Sequence, residues 1–443
     1  MNDRLQRFLP WGITLLFATM YALLVFGNHL CFRTYCLDLG VYTHTLYDYA
    51  HLRVDDCSSY LWEPQSALGD HFDLYLPMLS PLVFLFGQYT LLLVQILAVL
   101  FGGWGVYLLI KENTDSQLLP PLAMVALLGS FGVWHALGFD YHSSVVASML
   151  MPWFWLCFQR GRYGWSSALI FLIAIAKETM PLWIFCVALA LLWDYRRDRV
   201  ARRWLLGYMG FAVVYFVVIA MMAMPSLGSN SQVIWRYKYM GDSFGDIARW
   251  IVCHPGQAVV NCFSNFTHDP GDQCIKLEFW LCIAASGGLV LLLRRPHWLL
   301  MMVPCVLMKM LARDAGFWGI TFQYNAELMP VLVCGSFLAL SQMRPRWLAP
   351  ALTLLVLLTT VYSVSNPRTH IRKANLRIHA ADHYRQREFS AAEARRMLAL
   401  IPPDASVCAT TMFEPHLAAR DSVYMFPIGL GHNAEYYLLL DHH

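Results

Sequence analysis

The chain has 443 residues, of which 58% are hydrophobic and only 14% charged, and its formal net charge is +3. Soluble domains carry about a quarter charged residues, so a soluble fold of this size is not expected. So small a charge also excludes the electrostatic footprint of a nucleic-acid partner. What remains is an all-α polytopic protein of a lipid bilayer.

From the N-terminus, Arg4 and Arg7 precede an apolar stretch with no small-residue cleavage signature behind it, which predicts a retained first helix. Apolar segments follow near 9–30, 75–110, 118–137, 144–158, 165–176, 179–193, 204–224, 278–293, 298–312, 326–342 and 347–364. They predict about eleven crossings. The second segment is long enough for a short juxtamembrane piece ending near Gly87 before a full crossing.

Basic residues fall between these segments in clusters: Arg4/Arg7, Lys111, Arg160/Arg162, Arg196 to Arg203, Arg294/Arg295 and Arg344/Arg346. They occupy alternate loops, and positive-inside logic makes those loops cytoplasmic. The N-terminus is then inside a bacterial cytoplasmic membrane. The polar segments 31–74, 225–277 and 365–443 are outside, with the C-terminus extracytoplasmic.

The first outer loop holds Asp38 at the head of an amphipathic stretch in which Leu39, Tyr42, Leu46 and Tyr49 recur at helical spacing. That spacing predicts a helix lying along the membrane interface. Asp38 then reads either as a helix cap or as a general base facing a membrane-embedded substrate. Asp70 and His71, adjacent near the loop's end, could cap, bind a cation or move protons. Cys31, Cys36 and Cys57 in the same loop would face an oxidising compartment, which admits a disulfide among them.

Further on, Asp140 and His142 head a descending helix at the outer surface, where a cap is the simple reading. Segments 165–176 and 179–193 must go out and back between two cytoplasmic clusters, although each is shorter than the roughly 20 residues of a perpendicular crossing. Their turn, with Lys177 and Glu178, should therefore sit below the outer surface. An ionisable pair at that depth marks a functional site if it faces a polar cavity. The plainer alternative is an ion pair that seals two helix ends. Tyr324 and Glu327 add polar groups on the same side, whereas 225–277 has no motif tied to chemistry. The tail reads as a helix opened by a Ser390 to Glu393 capping box, then short strands: a small α/β unit over 366–443.

In their order, Leu37-Asp38-Leu39-Gly40-Val41-Tyr42, Gly69-Asp70-His71-Phe72, Phe139-Asp140-Tyr141-His142, Ala176-Lys177-Glu178, Tyr324-Asn325-Ala326-Glu327-Leu328-Met329-Pro330 and Ile401-Pro402-Pro403-Asp404-Ala405-Ser406-Val407 resemble a family of bacterial membrane proteins. That family is a domain of unknown function grouped with the GT-C glycosyltransferase superfamily. It more often reads Lys-Glu-Asp where this chain has Lys177-Glu178-Thr179. The resemblance implies a GT-C-like transmembrane domain over 1–365, a small extracytoplasmic C-terminal domain, and Asp38 at the acidic position beside a cavity for a lipid-linked sugar.

By the same likeness, the donor is a polyprenyl-phosphate sugar and the acceptor a lipid, glycan or protein. Sugar transfer needs a base for the acceptor hydroxyl and a cation for the departing phosphate. Asp38 could supply the first and Lys177 the second. Asp70, His71, His142 and Glu178 could position substrates or hold a divalent cation. The competing reading is a transporter or flippase in which Lys177 and Glu178 are a coupling pair, but no internal repeat of the kind many transporters show is found.

Overall fold

A chain this apolar can satisfy its backbone in lipid only as helix, because each N–H and C=O must find a partner within its own segment. The computed structural model describes residues 3–53, 59–60, 66–227, 234–267, 272–345, 347–366 and 375–440. Each of the apolar segments read from the sequence is helical over most of its length. Among the described residues, five helical stretches are long and apolar enough to cross a bilayer: Arg7–Leu30, Tyr75–Glu112, Arg199–Ser226, Ile275–Arg294 and Leu348–Ser365. The pair Leu119–Leu128 and Phe131–Leu137, bent by 43°, adds a sixth if it counts as one span.

The other apolar helices, Ser143–Gln159, Tyr163–Ala174, Met180–Asp194, Pro296–Met310 and Leu328–Leu340, are shorter. Length and composition therefore support five or six crossings rather than the expected eleven. Burial explains part of the difference, since every residue of Leu328–Leu340 is packed inside protein and none has to face lipid. Proline restarts the helix inside two of these stretches, Pro152 at the first turn of Met151–Gln159 and Pro304 at that of Val303–Met310.

The helices Thr90–Glu112, Met151–Gln159, Met180–Asp194 and Leu289–Arg294 finish at one common end. There Arg160 pairs with Glu112, and His297 Nε2 lies 2.9 Å from Asp194 Oδ1. This end carries the basic clusters. The first polar loop and the C-terminal segment gather at the other.

The C-terminal segment is a helix followed by three parallel strands, β1 (Val407–Ala409), β2 (Val423–Met425) and β3 (Tyr436–Leu438), in the order β2-β1-β3. Ser390 Oγ accepts the Glu393 amide at 3.3 Å, which is one half of the expected capping box. The sheet's small core is completed by Phe32 of the first loop, packed edge-on to Phe389 and Phe413. Arg33 fastens the same junction by donating to the carbonyls of Asp382, His383 and Arg385.

That junction changes the reading of the first loop. The helix Val41–Ala50 does not lie open on the interface: Thr43, His44, Thr45 and Asp48 are buried along with Leu46. The tail covers it, with His44 Nδ1 at 3.3 Å from the Ala418 carbonyl and Tyr47 donating to Asp421 at 3.1 Å. Polar residues on its outer side thus serve protein contacts rather than water. Cys31 and Cys36 are buried free thiols; Cys57 and Arg346 lie outside the described residues.

Candidate functional site

Asp38 caps no helix. It sits within a single π-helical turn, Cys36–Gly40, that leads into Val41–Ala50, and neither element has a side-chain cap bond at its start. Its Oδ1 accepts from His142 Nε2 at 3.1 Å, with the carboxylate side chain 24% and the imidazole 10% exposed. Two anchors hold this pair in place. Gln95, from the long helix Thr90–Glu112, donates to the Asp140 carbonyl at 2.7 Å and accepts the His142 amide at 2.8 Å. Asp140, at φ +45°, accepts the Tyr35 amide at 2.9 Å and so ties the π turn to the head of the His142 helix.

Asp140 is therefore buried rather than a surface cap. Burial, and then the neighbouring Asp38 charge, push its carboxyl well above the ordinary carboxylate range.

The 176–179 turn makes the second half of the site. Glu178 is fully buried: Oε1 lies 3.2 Å from His71 Nδ1, and Oε2 accepts the Phe72 amide at 3.2 Å. The Leu74 amide, donating to the Ile175 carbonyl at 2.9 Å, closes the same contact. Glu178 is thus the clasp between the hairpin and the end of the first loop. Lys177 is only half-buried and, among the described residues, makes no ion pair. The simple sealing pair does not form.

All eight residues singled out from the sequence, Asp38, Asp70, His71, His142, Lys177, Glu178, Tyr324 and Glu327, line one cavity of about 980 Å³. Three further cations stand on its wall: Lys309 and Arg236, which sequence reading missed, and Arg313, which it placed only as a polar turn on the same side. Lys309 donates to the Gly319 carbonyl at 2.9 Å and to Asn325 Oδ1. Arg236 lays its guanidinium over the Phe317 ring at 4.4 Å, with its buried Nε unpartnered. Arg313 joins it by donating its amide to the Arg236 carbonyl.

Among the described residues neither arginine is in an ion pair. Tyr324 stacks on Phe317 with centroids 4.1 Å apart, extending the aromatic wall.

Beneath the cavity, Asp73 accepts the Tyr75 amide at 2.9 Å and the Ser143 hydroxyl. Burial pushes its carboxyl up to about 7 in spite of those bonds. Among the described residues no three His, Cys, Asp or Glu side chains converge closely enough to hold a metal ion. His71 and His142 are each engaged by a single carboxylate instead, in two separate pairs.

A family model described as "Predicted membrane protein (DUF2079)" matches residues 29–441. The chain belongs to the DUF2079 family. No curated protein matches it. Among solved structures, this DUF2079 chain is similar to the Archaeoglobus fulgidus oligosaccharyltransferase, crystallised with an acceptor peptide containing the NVT sequon tethered through a disulfide. The TM-score is 0.50 at 10% identity, over 96% of this chain and 64% of that one. The chain thus spans less than two thirds of the oligosaccharyltransferase. The likeness is one of fold.

Proposed function

We propose that this chain is a membrane glycosyltransferase of GT-C type that moves a sugar from a polyprenyl-phosphate donor to an acceptor on the extracytoplasmic side. The observation that carries the proposal is the wall of the large cavity. There an Asp38–His142 pair lines the same cavity as Lys177 and Arg236, cations that form no ion pair among the described residues. A donor phosphate is the charge this arrangement lacks.

In the step proposed, the acceptor hydroxyl attacks the anomeric carbon and the bond from that carbon to the phosphate oxygen breaks. Asp38 takes the acceptor proton, and Lys177 and Arg236 stabilise the departing polyprenyl phosphate. Asp70, His71 and Glu178 position the loop and substrates, and Tyr324 and Glu327 the sugar. Residues 1–365 form the membrane domain in this reading, and 366–443 an extracytoplasmic domain that clamps the Asp38 turn.

Incubation of the purified chain with polyprenyl-phosphate monosaccharides and envelope acceptors tests the activity directly. A sugar-bearing product is expected, and none with any donor would overturn the reading. Lys177→Met should raise KM and lower kcat together, because its charge serves bound donor and leaving group alike. A reduction of about tenfold or more in kcat/KM is expected, and an unchanged value removes Lys177 from the phosphate site.

Orientation follows from the basic end being cytoplasmic. Cys253, exposed at the end of the helix Phe244–Cys253, should react in intact spheroplasts with an impermeant thiol reagent. Labelling only after permeabilisation would reverse the topology.

A further inference from the structure

A second pocket opens at the far end of the helix Met180–Asp194, about 22 Å along its axis from the 176–179 turn. Its volume is about 200 Å³. That is below the roughly 300–1,000 Å³ of sites for drug-sized ligands, and it suits a headgroup rather than a sugar-lipid.

Its wall pairs one anion with one cation inside an aromatic ring set: Asp194, Arg295, Trp155, Phe158, Tyr195 and Trp298. Asp194 is held rigidly. One oxygen accepts Trp298 Nε1 and the other His297 Nε2, both at 2.9 Å, while Arg295 stands off at 3.9 Å. Trp155, its centroid 5.0 Å from that of Trp298, is 4% exposed and has an indole N–H without a partner.

The level of the pocket is set by its neighbour. Trp193 is 61% exposed and carries the Arg196 guanidinium 5.1 Å from its ring, the aromatic-and-basic pairing of a membrane–water interface. Phospholipid headgroups occupy that level. A carboxylate among aromatic rings recognises an ammonium, and a guanidinium with a spare indole N–H recognises a phosphate.

We propose that this pocket binds the headgroup of an ethanolamine phospholipid, with its ammonium toward Asp194 and its phosphate toward Arg295. A purely anionic headgroup would meet Asp194 without compensation. A trimethylammonium has no N–H to give it. The site is distinct from the large cavity and does not depend on the function proposed for that cavity.

The test is lipid binding to the purified full chain in detergent, measured by native mass spectrometry with phosphatidylethanolamine, phosphatidylglycerol and phosphatidylcholine of matched acyl chains. The ethanolamine lipid should be retained about tenfold more tightly than the other two. Asp194→Asn should remove most of that preference, whereas Arg295→Gln should weaken retention of all three lipids, since each carries the phosphate. Asp194 also holds Trp298 and its replacement could disturb folding, so the wild-type preference tests the ammonium site and the partly exposed Arg295 tests the phosphate site.

Equal retention of the three lipids by the wild-type chain, or unchanged retention of the ethanolamine lipid in Arg295→Gln, overturns the proposal. If soluble glycerophosphoethanolamine binds as tightly as the lipid, the ligand is a free metabolite and the lipid assignment fails.

Discussion

Asp38→Asn should lower kcat for sugar transfer by about 10²- to 10⁴-fold, the range a general base supplies, with KM for donor and acceptor nearly unchanged. The amide keeps the shape of the carboxylate and still offers Oδ1 to His142 Nε2, so the 3.1 Å contact can persist. What it loses is the basic lone pair. His142→Gln should have a smaller effect, because it removes the group that orients Asp38 and leaves the proton acceptor in place. Steady-state kinetics of both variants, beside their thermal unfolding in detergent, separate chemistry from folding. Asp38→Asn within about threefold of wild-type kcat would show that the proton goes elsewhere.

Which parts of this site were legible in the sequence follows from the range of the signals. The turn that carries Lys177 and Glu178 could be located because it falls between two short neighbouring apolar runs. The partner of Glu178 could not, because His71 lies more than a hundred residues away and nothing local specifies it. Gln95 and Lys309 had a readable signal that was passed over, each a polar side chain inside an apolar helix where an unpaired group is costly. Arg236 had none, since its loop shows no periodicity.

The helix Val41–Ala50 was expected at the interface because its apolar spacing is amphipathic, and the spacing is real. Its cover comes from residues near 418 and 421, too distant in the chain for any local pattern to announce. Periodicity likewise located the apolar segments but not which of them face lipid. Leu328–Leu340, buried throughout, and Tyr163–Ala174, mostly outside the core, are similarly apolar runs, and only packing tells them apart.

The grip of the C-terminal unit on the Asp38 turn should make stability fall as pH rises, and Glu414→Gln should remove that fall. The Cys36 amide donates to the Thr411 carbonyl at 2.9 Å, and the Glu414 side chain is fully buried beside Gly40 and the Cys36 thiol. A Cβ at residue 40 would overlap the Glu414 carboxyl, so only glycine leaves room for it. Burial pushes that carboxyl up to about 8.

The sign follows from linkage. A carboxyl raised above its unfolded value favours the folded state while protonated, and its stability is lost between the ordinary carboxyl range and about 8. His416, lowered by burial and by the charges of His29 and Arg395, acts oppositely: its share is lost as pH falls below the ordinary imidazole value. The two slopes offset each other in mildly acid solution. Between about pH 6.5 and 8 the Glu414 slope is no longer opposed by His416, and it amounts to about 1.4 kcal/mol per pH unit, or about 2 kcal/mol in all.

The apparent Tm of the wild-type chain should therefore drop across that window. That of Glu414→Gln should drop much less and lie above wild type at pH 8, with Asp73, raised to about 7, leaving a residual slope in both. Gly40→Ala should lower stability by about 1–3 kcal/mol through overpacking and reduce transfer with it. Parallel Tm curves for wild type and Glu414→Gln between pH 6.5 and 8 would mean that the carboxyl is not buried in the neutral form, and that the tail grips the Asp38 turn by its backbone alone.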